Sequence, residues 1–247
     1  MLKLGYILKE IGVGGLLNSI VKRHSRLNPF SETEINIIRS ATKLFLENGY
    51  TQTTFKMIEA DCGVRVGNIT YHFHSKEALL QVLIEELMDY HAGIVENLYE
   101  NTDNELIAFA TEITVQIALC ENDRQAWDLY FSAYSHHVTF DYIKKWATEK
   151  NYALFAKRLP NWTEHDFRDR EVVASGIELA ALKTPCDRTF SLDKKISIIL
   201  DSMMMLYEIP KEERQEVIER ILAMDYEALA KEMFDKFVKR LDNDIDK

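Results

Sequence analysis

Turn residues are scarce in this chain. Nine glycines and four prolines are spread over 247 residues, and Gly176 is the one glycine beyond residue 93. A β-sandwich or barrel consumes a turn about every ten residues, so this supply excludes such folds and predicts a mostly helical protein. Cysteine is scarce too. Cys62, Cys120 and Cys186 lie far apart with no CxxC pair, which excludes a disulfide scaffold and fits three reduced thiols in a cytoplasmic chain. No apolar run reaches the roughly 20 residues of a membrane-spanning helix. The apolar start, MLKLGYILKEIGVGGLLNSIVKRHSR, is interrupted by Lys3, Lys9 and Glu10 and lacks a small-residue cleavage site, which argues against a secretory signal. A Gly-rich phosphate loop, a GxSxG elbow and a Cys–His pairing are also missing. Catalysis and a cofactor therefore find no support.

What the chain does have is a globular composition with an uneven charge. It is 47% hydrophobic and 28% charged, with a net charge of −10. Residues 1–81 carry ten Lys or Arg against seven Asp or Glu, a net of +3 that leaves −13 on the remainder. A polyanionic partner is expected at the N-terminal third. Lys22, Arg23, His24 and Arg26 end an extension over residues 1–30. It reads either as a short amphipathic helix or as a basic arm that reaches DNA phosphates.

Beyond Pro29 the punctuation becomes informative. Ser31 followed by Glu34 is a capping-box pattern, and Ile35, Ile38, Ala41, Leu44 and Phe45 repeat as the buried stripe of a helix. Asn48-Gly49 suits a left-handed cap. Thr53 or Thr54 starts a short helix ending at Cys62, Gly63 supplies a tight turn, and a third helix runs from about Val66 to His74. Ser75 then caps a long helix carrying Leu79, Leu80, Leu83, Ile84, Leu87 and Met88. Two short helices around a glycine turn, held by longer ones, form a helix-turn-helix. Ile58, Val64 and Ile69 make its small core. Arg65, Val66, Gly67, Asn68, Thr70, Tyr71 and His72 are left on the outer part of the last short helix.

The run TTFKMIEADCGVRVGNITYHFHSKEALL, residues 53–80, resembles the DNA-binding signature of the TetR family of bacterial regulators, and the resemblance extends over about residues 31–90. It implies an all-α homodimer. A helix-turn-helix DNA-binding domain would occupy residues 31–80, and a helical ligand-binding and dimerisation domain residues 81–247. It further implies a base or phosphate contact for Lys56, a phosphate contact for Lys76, and sugar-phosphate contacts for Tyr71 and His72. Thr54 is placed with them at the start of the second helix. By its chemistry Asn68 suits adenine, Arg65 suits guanine or a phosphate, and Val66 and Thr70 suit a thymine methyl. Glu59, Arg65 and Thr70 depart from the residues common in the family, which puts the operator sequence out of reach.

The C-terminal two-thirds offers helical periods near 104–120, 123–138, 140–157, 167–183, 192–208, 211–223 and 225–241, with Pro160, Pro185 and Pro210 at the breaks. Residues 172–182, small and apolar around Gly176, and residues 196–207, rich in Met, are expected to form the dimer contact. Trp127, Tyr130 and Tyr134 share one helix face and, with His137, form a candidate pocket for a largely apolar effector. The same spacing is also that of plain core. His136-His137 is no metal site, because adjacent side chains diverge on a helix and no third ligand is evident. None of the 40 acids stands out from solvated helix faces. The expected function is a ligand-responsive transcriptional regulator, a repressor released from a palindromic operator by a small molecule. The alternative is a helical protein-interaction module with a degenerate helix-turn-helix, which Glu59 and the acidic charge favour.

Overall fold

The computed structural model describes residues 30–102 and 104–245, so the extension with its basic cluster lies outside the described residues. The described residues form eleven helices and no strand: α1 (Glu32–Asn48), α2 (Phe55–Cys62), α3 (Val66–His72), α4 (Lys76–Thr102), α5 (Glu105–Asn122), α6 (Arg124–Ser135), α7 (His137–Phe155), α8 (Glu164–Lys183), α9 (Leu192–Leu206), α10 (Lys211–Leu222) and α11 (Tyr226–Ile245). The fold is all-α, as the shortage of turn residues requires. Among the described residues, no helix is long and apolar enough to cross a membrane.

Local chemistry sets the N-terminal elements. Ser31 and Glu34 form the reciprocal capping box of α1, and Thr54 rather than Thr53 caps α2, accepting from the Met57 amide. Thr53 is buried instead, its hydroxyl donating to the Leu44 and Gly49 carbonyls. Gly63 sits at φ 73°, ψ 1°, the left-handed turn between α2 and α3. Ser40 and Asn36 of α1 donate to the Ile58 and Cys62 carbonyls, and Lys43 pairs with Asp61 at 2.8 Å, so α2 is braced along its length.

Helix α5 is the axis of the rest of the molecule. Every residue from Leu106 to Cys120 is buried, as expected for a helix apolar on all sides. It packs against α4, α6, α8, α9, α10 and α11. The long α4 runs from the helix-turn-helix into this bundle. The observed breaks agree with the proline positions, but α6 ends at Ser135 and α7 begins at His137.

Gly49 corrects one expectation. Its φ is positive, but at φ 87°, ψ 149° it is extended, not left-handed helical. The chain leaves α1 directly towards α6, where Asp128 Oδ2 accepts the Thr51 amide at 2.7 Å. A Cβ on Gly49 would lie 2.9 Å from that carboxylate oxygen. Gly49→Ala therefore meets a disfavoured backbone and a clash together, and should lower stability by about 1–3 kcal/mol. A thermal or urea melt indistinguishable from wild type would show that the turn relaxes freely.

Candidate functional site

The first candidate is a surface. Helix α3 buries Ile69 and turns Arg65, Gly67, Asn68 and Tyr71 to solvent, with Tyr71 77% exposed. Thr54 and Lys56 are exposed at the start of α2, and Val66, Thr70 and His72 are partly covered. Among the described residues the side chains of Arg65, Asn68 and Lys56 have no hydrogen-bond or ion-pair partner, so their donors are available. A Cβ on Gly67 would meet open space, which leaves its backbone approachable. Thr70 differs: its hydroxyl donates back to the Val66 and Gly67 carbonyls, leaving its methyl as the outward chemistry. His72 Nδ1 lies 3.3 Å from Glu34, tying α3 to α1. Phe73 is core.

Lys76 is found elsewhere than the resemblance implies. Its Nζ donates to the Tyr50 and Thr53 carbonyls at 2.8 and 3.0 Å and lies over the Tyr50 ring, 4.1 Å from its centroid. Burial lowers its pKa. Two of its three donors are committed to the turn after α1, so it clamps the helix-turn-helix and keeps one donor for a phosphate.

The second candidate is internal. Glu112 on α5 is 5% exposed and pairs with Lys150 of α7, while His91 Nδ1 of α4 stands 3.7 Å from its other oxygen. Burial works against the charge, but Lys150 and His91 hold Glu112 well below the usual carboxylate range. Glu171 of α8 accepts from Asn151 Nδ2 at 3.0 Å and from the Tyr207 hydroxyl at 3.1 Å. Two turns along α8, Glu178 accepts from the Tyr134 hydroxyl at 2.5 Å. These two carboxyls have neutral donors only. Burial raises both pKa values, that of Glu178 to about 8 with help from the charge of Glu171.

Comparison with known proteins bears on the first. Residues 37–83 match the family model described as bacterial regulatory proteins, tetR family. That stretch runs from the middle of α1, through the whole helix-turn-helix, into α4. This stretch is similar to the tetR family. The HTH-type regulator YerO of Bacillus subtilis (strain 168), itself uncharacterised, is 34% identical over 76 residues, 31% of this chain and 25% of that one. UidR of Escherichia coli (strain K12), an HTH-type transcriptional regulator, is 38% identical over 52 residues, 21% of this chain and 26% of its own. The matched stretch thus spans about a quarter of these relatives' length. The fold likeness reaches further: a crystal structure of RolR with its ligand resorcinol aligns at TM-score 0.62 and 17% identity, covering 76% of this chain and 94% of that one.

Behind the TetR-like domain, the predicted effector residues fare unequally. His137 stands apart from the other three. It opens α7 with its side chain 88% exposed beside Asp141, because the helix break at His136 interrupts the period that runs from Trp127. Tyr130 is fully buried, its hydroxyl 2.8 Å from His91 Nε2, and Tyr134 reaches Glu178. Trp127 donates from Nε1 to the Leu182 carbonyl and stacks on Phe131 at 4.9 Å, at the edge of an adjoining small cavity lined by Glu121 and Lys195 and, on its inner side, by Glu178. The expectation that no acid stands out is also overturned, since Glu112 and Glu171 are core residues. A signal existed: Glu112 interrupts a run apolar on every face, and Glu171 and Glu178 repeat at i and i+7.

The raised Glu178 pKa makes a sign-definite prediction. The folded state holds its proton from about pH 4.5 to about pH 8, where the unfolded chain has lost it, so this group's contribution to stability falls as pH rises through that window. Glu178→Gln abolishes the loss. Relative to wild type it should gain about 1–3 kcal/mol between about pH 5.5 and about pH 8.5. Melts at the two pH values that differ by a constant offset would exclude this proton.

Proposed function

We propose that the chain is a ligand-responsive transcriptional repressor that binds a palindromic operator as a homodimer in the cytoplasm and is released by a small molecule. The observation that carries this reading is the outward row on α3, with unpaired Arg65 and Asn68 beside exposed Tyr71, on a TetR-like domain joined through α4 to a helical domain with a polar interior. Thr54, Lys56, Arg65, Val66, Gly67, Asn68, Thr70, Tyr71 and His72 make the DNA surface, and Lys76 holds its shape. Tyr130 and Tyr134 belong to the effector-responsive interior, with Trp127 at its edge.

The dimer face lies on α8 and α9. Val172 (61% exposed) and Val173 flank Gly176 on the outside of α8, where a Cβ at Gly176 would meet nothing, and Ile198 and Met205 repeat two turns apart on the outside of α9. A second copy would bury these four apolar side chains. Two copies also supply what one short helix cannot, an interface large enough for operator affinity. Recognition helices about 34–36 Å apart would then meet successive major grooves.

Gel shifts with selected genomic fragments test the reading. Asn68→Ala should relax preference at one position of each half-site by ~1–3 kcal/mol, whereas Lys56→Ala should weaken all sequences alike and flatten the salt dependence. Wild-type affinity and selectivity in both would remove α2 and α3 from the DNA surface. For the dimer, sedimentation of Val172→Asp/Ile198→Asp should show monomers with a parallel loss of operator affinity. An unchanged dimer would place the interface elsewhere.

A further inference from the structure

The acid cluster is unbalanced. Glu112, Glu171 and Glu178 share an interior with a single ammonium, that of Lys150. The void between them is about 10 Å³, room for one water. Asn151, which is 2% exposed, lines it; its Nδ2 serves Glu171 and Tyr207, but its Oδ1 has no donor. The interior therefore offers acceptors in excess of donors and three carboxyl groups to one ammonium. Immediately outside, a groove of about 370 Å³ runs between α4 and α7, with Ala92, Val95 and Leu154 in its apolar wall. Trp146 and Lys150 line both spaces, and the Lys150 ammonium lies over the Trp146 ring, 4.8 Å from its centroid. The partition between groove and acids is thus one ring and one flexible cation.

We propose that this interior is a binding site for an aryl-alkyl ammonium, with Lys150 as its built-in occupant. The ligand's cation takes the place of the Lys150 ammonium among the three carboxyl groups, its N–H donors reach Asn151 Oδ1 and Glu178, and its ring packs in the groove against Trp146. The long Lys150 stem swings back towards solvent. An anion would meet three carboxyls at the same point, and a neutral hydroxyl entering in place of the Lys150 ammonium would leave the ionised Glu112 without its cation. The groups facing Glu178 are Glu112 from α5, Tyr134 from α6, Lys150 from α7, Glu171 from its own helix and Tyr207 after α9, and across the small cavity on its other side the paired Glu121 of α5 and Lys195 of α9. Glu178 is protonated near neutrality, so binding the cation expels its proton to solvent. The proposal rests on the regulator reading only in calling the ligand an effector.

The test uses the full chain with 2-phenylethylammonium and its neutral isostere 2-phenylethanol, followed by calorimetry and thermal melts near neutral pH. The ammonium should bind at least roughly tenfold more tightly than the alcohol, as expected where a charged hydrogen bond replaces a neutral one. Its heat should vary with the ionisation enthalpy of the buffer, reporting the released proton. Glu178→Gln, which replaces a protonated carboxyl by a neutral isostere, should fold normally and lose both the preference and the proton release. Lys150→Met removes the resident cation; it should melt lower, and the ammonium but not the alcohol should restore its midpoint. Equal binding of the two probes, or ammonium binding undiminished in Glu178→Gln, would overturn the proposal, and the Glu178→Gln arm decides even where Lys150→Met is too unstable to purify. Ammonium binding that never affects operator binding would instead sink the regulator reading and leave the site standing.

Discussion

An ionised carboxylate on a helix buried along its whole length is the constraint around which the C-terminal bundle is arranged. Glu112 sits in the middle of α5, almost wholly shielded from water. Removing such a charge from water costs several kcal/mol unless a counter-ion and hydrogen bonds offset it. The compensation comes from other elements: Lys150 from α7 and His91 from α4. Lys195 of α9 does the same near the end of α5, pairing with Glu121 while donating to the Ala181 and Thr184 carbonyls at the end of α8. Ion pairs of this kind add little net stability, but each is punishing to misalign. They fix the register of the neighbours of α5.

The link between the DNA-binding and C-terminal parts is equally polar. Asp128 of α6 accepts from the amide and hydroxyl of Thr51, and Gly49 must lack a side chain for it to come that close. Tyr50 packs edge-on against His136, which faces Glu77 of α4 at 3.8 Å, while Lys76 caps the Tyr50 ring. Helix α6 therefore holds the TetR-like domain by Asp128 and the acid cluster by Tyr130 and Tyr134, within two turns. A rigid helix cannot move at one of these contacts without moving at the other.

Much of this was legible from residue patterns. Capping boxes, the turn at Gly63, the proline breaks and the exposed row on α3 each follow from local chemistry, which the chain expresses within a few residues. The outward faces of α8 and α9 were legible too, because Val172-Val173 and Ile198 fall off the buried stripes of their helices. The acid cluster was not. A carboxylate's environment is set by the elements packed on it, and Glu112, Lys150 and Glu178 are far apart in sequence. Lys76 escaped for a related reason: its partners are carbonyls, which carry no side-chain signature. His137 falls off the face of Trp127, Tyr130 and Tyr134 because one non-helical residue, His136, shifts the helical phase between α6 and α7.

The closed interior also bears on how such a protein could switch. Moving a two-state equilibrium from 99:1 to 1:99 takes about 5.5 kcal/mol of differential binding. A pre-formed apolar cavity would supply affinity to both states and shift nothing, since only a difference in affinity between conformations moves their balance. Here the space among the acids admits about one water, so any larger occupant binds a conformation other than the one described. Packed cores change in discrete steps. An occupant that displaces Lys150 also disturbs Glu178, hence Tyr134, hence the helix that carries Asp128. On the proposed reading, the demand of Glu112 for a cation is therefore what makes binding selective between states: the resident lysine keeps the closed form, and a competing cation can enter only by displacing it.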